Sequence, residues 1–134
     1  GELRAIGLVN GKAVAKTTLK TVGKPTAIRL TADRSTLHAD RNDLCYVTVE
    51  VVDGKGHRVP NTAIPVRFTI SGAGELAATG SAAPNDAASF HQPVRQTYEG
   101  RCLVILRPQN GPGLITLNAE ADGLKPTRIV VRTQ

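Results

Sequence analysis

The chain has 134 residues, enough for one domain or one domain with a fragment of a neighbour, and 40% of them are hydrophobic. No apolar run reaches the length of about eighteen residues that membrane insertion needs, and no secretory leader pattern opens the chain. The net charge is +6, yet the basic residues are spread singly and the only aromatics are Tyr46, Phe68, Phe90 and Tyr98, which excludes a nucleic-acid surface. The same scarcity, with no Trp and two of the four aromatics expected in the core, argues against a carbohydrate-binding platform. Met is absent even from the first position, so the sequence reads as a segment of a longer polypeptide.

In chain order, residues 3–9 and 13–22 flank Asn10-Gly11, the pair that supplies both positive φ angles of a type I′ hairpin turn. Gly23-Lys24-Pro25 breaks the pattern as a linker or strand switch. Short strands then follow at regular spacing. AIRLTA (27–32) alternates, with Ile28 and Leu30 sharing a face. LCYVTVEVV (44–52) is the strongest strand, with Cys45, Val47, Val49 and Val51 on one side and Tyr46, Thr48 and Glu50 on the other.

DGKG (53–56) turns the chain, VPNTAIP (59–65) stiffens the connection, and PVRFTIS (65–71) points Val66, Phe68 and Ile70 inward. GELAAT (74–79) is a weaker strand before a loop at 80–93. VRQTY (94–98) and RCLVILR (101–107) flank Glu99-Gly100. LITLNAEA (114–121) and PTRIVVRT (126–133) end the series after turns at 108–113 and Asp122-Gly123. No segment keeps a helical period. The pattern predicts an all-β chain: residues 1–24 as a terminal β-hairpin, and residues 25–134 as an immunoglobulin-like β-sandwich of about seven strands. A closed barrel is the weaker alternative.

Cys45 and Cys102 are expected on strands that face each other across such a sandwich, which makes them a candidate inter-sheet disulfide. A bond there would contribute roughly 3–4 kcal/mol in the loop-entropy model. Two buried free thiols acting as small hydrophobes are the equal alternative, since the Trp that packs on such bonds is missing. Neither Cys has a Cys or His within four positions, so no zinc site is expected. Asp40, Asn42 and Asp43 lack the spacing of a calcium loop and read as a turn before a strand. No metal or cofactor site is predicted.

The loop at 80–93 holds Ser81, Pro84, Asn85, Asp86, Ser89, Phe90 and His91, and its NDAASFH run contains all three side-chain types of a hydrolase triad. A triad needs the serine oxygen within hydrogen-bond reach of a histidine oriented by a carboxylate, and its members normally come from separate elements. No Gly-x-Ser-x-Gly elbow surrounds Ser89. Asn85 and Asp86 instead read as turn formers, with Phe90 expected to tether the loop to the sandwich. These residues are therefore candidates for contact rather than catalysis.

Taken in order, V-x-V-E-V-V-D (47–53), G-x-x-V-P (56–60), S-G-x-G-E-L (71–76), N-D-A-A-S-F (85–90), E-G-R-C-L-V-I-L-R (99–107) and A-x-G-L-K-P (121–126) resemble the C-terminal immunoglobulin-like domain of glycoside hydrolase family 2 enzymes. The resemblance covers roughly residues 26–133, and residues 2–24 look like the last hairpin of the immunoglobulin-like domain that precedes it. Gly80-Ser81-Ala82 departs from the G-N-G or G-N-A common after the G-E-L strand.

The resemblance implies a parent that is a retaining β-galactosidase, using two glutamates of a barrel absent from this chain. Retaining chemistry needs two carboxyls about 5 Å apart beside a sugar pocket. Glu2, Glu50, Glu75, Glu99 and Glu120 all have solvent-facing parity or lie in turns, so none is assigned a catalytic role.

The implied role is structural: packing on the catalytic barrel and the preceding domain, shaping the active-site rim, or making homo-oligomer contacts. The family and the candidate disulfide point to a bacterial periplasm or cell surface. A spacer module of an adhesin or invasin stalk shares the strand pattern and is the alternative.

Overall fold

The computed structural model describes residues 1–134 and contains eleven strands and no helix. Strands β1 (Glu2–Val9) and β2 (Lys12–Lys20) form a separate antiparallel ribbon. Its turn is the expected one, with φ of 49° at Asn10 and 75° at Gly11. Nine strands build the sandwich: β3 (Ala27–Ala32), β4 (Thr36–Leu37), β5 (Cys45–Val52), β6 (Pro65–Gly72), β7 (Gly74–Gly80), β8 (Val94–Gln96), β9 (Arg101–Pro108), β10 (Gly113–Glu120) and β11 (Thr127–Thr133).

One sheet runs β3-β5-β9-β7 and the other β4-β11-β10-β6-β8. The alternation read from sequence sets which faces meet. Cys45, Val47 and Val49 from β5 and Val104 and Leu106 from β9 lie against Val66, Phe68, Ile115, Leu117 and Val131 of the facing sheet, in one core cluster of fourteen buried residues. Each of the larger side chains stabilises the fold by roughly 1.5–3 kcal/mol on leaving water. At Gly74 the layers approach closely, because a Cβ there would run into the Ile115 side chain.

The sheet order corrects two expectations. Cys45 and Cys102 do not face each other across the core: β5 and β9 are neighbours in one sheet, where Cys45 pairs with Leu106 and Cys102 with Val49. Four residues of offset along a strand is roughly 13 Å, well beyond the Cα separation of about 7 Å that a disulfide can span. Both cysteines are buried free thiols, Cys45 pushed up to about 11 and Cys102 to about 12, chiefly by burial. The second correction concerns the aromatics. Only Phe68 is core, while Tyr46, Tyr98 and Phe90 are 42%, 39% and 65% exposed.

The linker between ribbon and sandwich is fixed by backbone bonds and one carboxylate. Thr26 N–H donates to the Val52 carbonyl in one sheet, and the Thr26 carbonyl accepts from Lys125 N–H beside the other. Asp53, itself buried, accepts from the backbone N–H groups of Gly23, Lys55 and His57, each at 2.9 Å. Those bonds, Gly23 first and His57 next, hold the Asp53 carboxyl down at about 2.

Candidate functional site

Gly80 closes β7 and Val94 opens β8, and the thirteen-residue excursion between them has no strand of its own. Small and polar residues dominate it, so apolar burial cannot hold it in place. Its anchor is Arg95, the middle residue of β8, whose side chain is only 1% exposed.

The guanidinium reaches into the loop and every nitrogen is engaged. Nε donates to Thr79 Oγ1 at 3.1 Å, Nη1 to Asp86 Oδ2 at 2.7 Å and to the Ala88 carbonyl at 3.4 Å, and Nη2 to the Ser89 carbonyl at 2.6 Å. A planar fork with five N–H donors is the one side chain able to satisfy that many acceptors from a single point. Asp86 also accepts from Ala88 N–H and from Ser81 Oγ. The Ala88 N–H first and Arg95 second hold the Asp86 carboxyl below the ordinary carboxylate range.

The structure thus brings Ser81, Asp86 and Ser89 together around Arg95, and leaves Pro84, Asn85, Phe90 and His91 on the outside. The expected tethering by the Phe90 ring is not what occurs. The ring is exposed and only brushes Arg95, with Cζ 5.9 Å from its centroid. Phe90 holds the loop through its backbone carbonyl, which accepts from Thr79 N–H at 2.6 Å. No triad forms either: Ser89 Oγ accepts from the backbone N–H of His91, and Asp86 is committed to Arg95. Asp40 and Asp43 behave as turn formers, accepting from the backbone of Asn42, Asp43, His38 and Leu44.

Arg95 was not among the residues singled out from the sequence. Alternation points the wrong way here, because Val94 and Gln96 are exposed while Arg95 and Thr97 are buried, the reverse of the usual apolar-in pattern. The loop shelters a cleft of about 330 Å3 beside β8, lined by Ser81, Asn85 and Asp86 on one side and Gln96, Thr97 and Tyr98 on the other. Three of the five glutamates lie elsewhere in ion pairs: Glu2 with Arg4 and Lys20, Glu50 with Arg29 and Arg58, Glu75 with Arg41 and Arg107.

Comparison with known proteins places this architecture. The family model described as glycoside hydrolase family 2 C-terminal domain 5 matches residues 28–130. Beta-galactosidase BoGH2A of Bacteroides ovatus is 41% identical over 125 residues, which are 93% of this chain and 15% of that protein. A beta-glucuronidase of Formosa agariphila is 29% identical over 136 residues, 99% of this chain and 14% of its own length. A glycosyl hydrolase family 2 member from Bacteroides cellulosilyticus superposes with a TM-score of 0.93 at 35% identity, over 100% of this chain and 17% of that one.

The D00-D0 domain of intimin superposes with a TM-score of 0.62 at 20% identity, a likeness of fold alone. The adhesin alternative therefore has the weaker support. The chain spans only 15% and 17% of the lengths of the first relative and first structure compared. With a family model covering residues 28–130, the chain belongs to the glycoside hydrolase family 2 C-terminal domain 5 family.

Proposed function

We propose that this chain is a non-catalytic packing module of a larger β-galactoside-cleaving enzyme, and that its β1–β2 ribbon completes a neighbouring domain. The observation that carries this proposal is the ribbon's uncovered apolar surface. Leu3, Ile6, Leu8, Val9, Val14 and Leu19 are all more than half exposed. On one face Leu3 pairs with Leu19, Ala5 with Thr17 and Gly7 with Ala15, without a charge among them. A two-stranded ribbon is marginal in water by itself and needs a third layer or strand to bury such a face. The family match begins at residue 28, beyond the ribbon, and the relatives carry several times this chain's length.

The carboxyls support a structural role. Asp43, Asp53 and Asp86 are held below the ordinary range, each chiefly by a backbone N–H, which is opposite to what a general acid requires. The partners are the catalytic barrel and the preceding domain of the same polypeptide, with copies of the enzyme a further contact. Bacterial kinship favours a periplasmic or surface location, which cell fractionation checks.

The test compares the full-length polypeptide with one lacking residues 26–134, and a third carrying Leu3→Lys and Leu19→Lys. Both altered forms should lose thermal stability, and the 134-residue chain should leave an aryl β-galactoside uncleaved. Turnover by the chain itself that vanishes in Asp86→Asn or Ser89→Ala would overturn the non-catalytic role. Unchanged stability in the double lysine form would remove the packing role of the ribbon.

A further inference from the structure

We infer that the cleft between residues 81–87 and β8 is a subsite for a neutral saccharide, taking one or two sugar rings of a glycan. Its volume of about 330 Å3 lies at the lower end of the roughly 300–1,000 Å3 typical of small-molecule sites. Its walls present the group types that sugar hydroxyls require. Asn85 on the loop and Gln96 on β8 bring amides to it, while Ser81 and Asp86 are held by bonds to each other, to Arg95 and to the Ala83 and Ala88 N–H groups and shape the wall. An amide supplies a donor and an acceptor side by side, which matches a pair of neighbouring hydroxyls. Gln96 spends one N–H on the Ala63 carbonyl at 3.4 Å and keeps its oxygen for a ligand. Tyr98, 39% exposed, gives the cleft an aromatic ring with a polar end, suited to the C–H face of a pyranose.

The charge balance selects against other ligands. No lysine or arginine lines the cleft, and Arg95 behind its loop wall is buried and paired with Asp86 at 2.7 Å, so the cleft offers an anion no free positive group. Arg95 and Asp86 neutralise each other, so the cleft carries no net charge to select a phosphate or a uronate. The wall is also pre-organised, because Arg95 fixes the loop from below through Asp86, Ala88 and Ser89. A rigid wall spares the ligand the cost of ordering it. The glycan's origin rests on the proposed place of the chain in a glycoside hydrolase, while the chemistry of the cleft does not depend on it.

The test has two arms. In the first, the 15N-labelled 134-residue chain is titrated with galactose, lactose, glucuronate and inorganic phosphate, and its amide spectrum is recorded. Lactose or galactose should shift the Asn85 and Gln96 side-chain amides saturably, with a dissociation constant in the millimolar range, and glucuronate and phosphate should bind several-fold more weakly. Tyr98→Ala should weaken sugar binding at least tenfold. Gln96→Ala, which alters only an exposed side chain, serves should the tyrosine variant lose its dispersed spectrum. Absence of a saturable shift at roughly 100 mM sugar, tighter binding of phosphate, or unaltered affinity in both variants would sink the subsite.

In the second arm, Tyr98→Ala in the full-length polypeptide is assayed on a galactose-containing oligosaccharide and on an aryl galactoside. A rise in KM confined to the oligosaccharide is expected. Equal losses on both substrates would assign Tyr98 to folding and overturn substrate capture, as would no loss on either. Should the polypeptide cleave no galactoside at all, the proposed parent activity falls while the titration still decides the subsite.

Discussion

Arg95→Met is the perturbation most able to expose how the 81–93 loop is held. Methionine keeps much of the buried volume and removes only the fork. Four hydrogen bonds from the guanidinium go with it, to Thr79, Asp86, Ala88 and Ser89. Breaking a buried ion pair from one side costs roughly 3–5 kcal/mol, because the remaining charge is stranded. Asp86 lies at the surface and regains water, so the loss comes from the acceptors that Arg95 leaves unpaired in the loop and is smaller, about 1–3 kcal/mol.

A domain of this size is stable by about 5–15 kcal/mol, so the variant should still fold. Urea unfolding followed by circular dichroism measures the loss, and hydrogen exchange locates it. Protection should fall most at Thr79, Asp86 and Gln92, whose amides donate to Phe90, Ala83 and Ser89, and at Val49 and Val104 by no more than the global loss. Arg95→Lys should recover only part of the loss, since one ammonium cannot reach four separated acceptors. A Met variant within about 0.5 kcal/mol of the parent, or unchanged exchange across 79–92, would refute the buried-anchor account.

Cys45 and Cys102 should both be alkylated in guanidinium without reductant, and only slowly in the native state at pH 8, where thiols pushed up to about 11 and 12 hold little thiolate. A mass that changes on reduction would contradict this. Because Asp53 is held at about 2, below its unfolded value of 3.8, its contribution is present above pH 3.8 and disappears as pH falls through about 2. The Gly23, Lys55 and His57 amide resonances should therefore move together near pH 2, and a common midpoint near 3.8 would contradict the clamp. Gly100→Ala should cost more than about 1 kcal/mol in a thermal melt, since φ is 75° there and a Cβ would strike the Val59 carbonyl.

What could be read from the sequence was local. Asn10-Gly11 announces its turn through the φ angles it permits, and β5 announces its buried face through Cys45, Val47, Val49 and Val51. The cysteine pairing failed because it depended on which strands become neighbours, a property of distant segments. Thr36–Leu37 escaped notice because two residues have no period. Arg95 was hidden by convention: a charged residue between Val94 and Gln96 is assumed to face water, and here the loop's own carbonyls and Asp86 replace the water. A thirteen-residue loop with almost nothing apolar to bury was the clue that some polar side chain must hold it.

The linker at Thr26 has a mechanical consequence. Its N–H is bonded to Val52 in one sheet and its carbonyl to Lys125 beside the other, with Asp53 gripping Gly23 just upstream. Load arriving through the ribbon therefore enters both sheets at once and cannot peel a single edge strand away. Motion of whatever carries the ribbon is passed to the sandwich as rotation of a stiff unit, and residues 81–93, which leave β7 at this same end, where Gly80 pairs with Leu103 and Glu50 with Arg101, sit near the pivot.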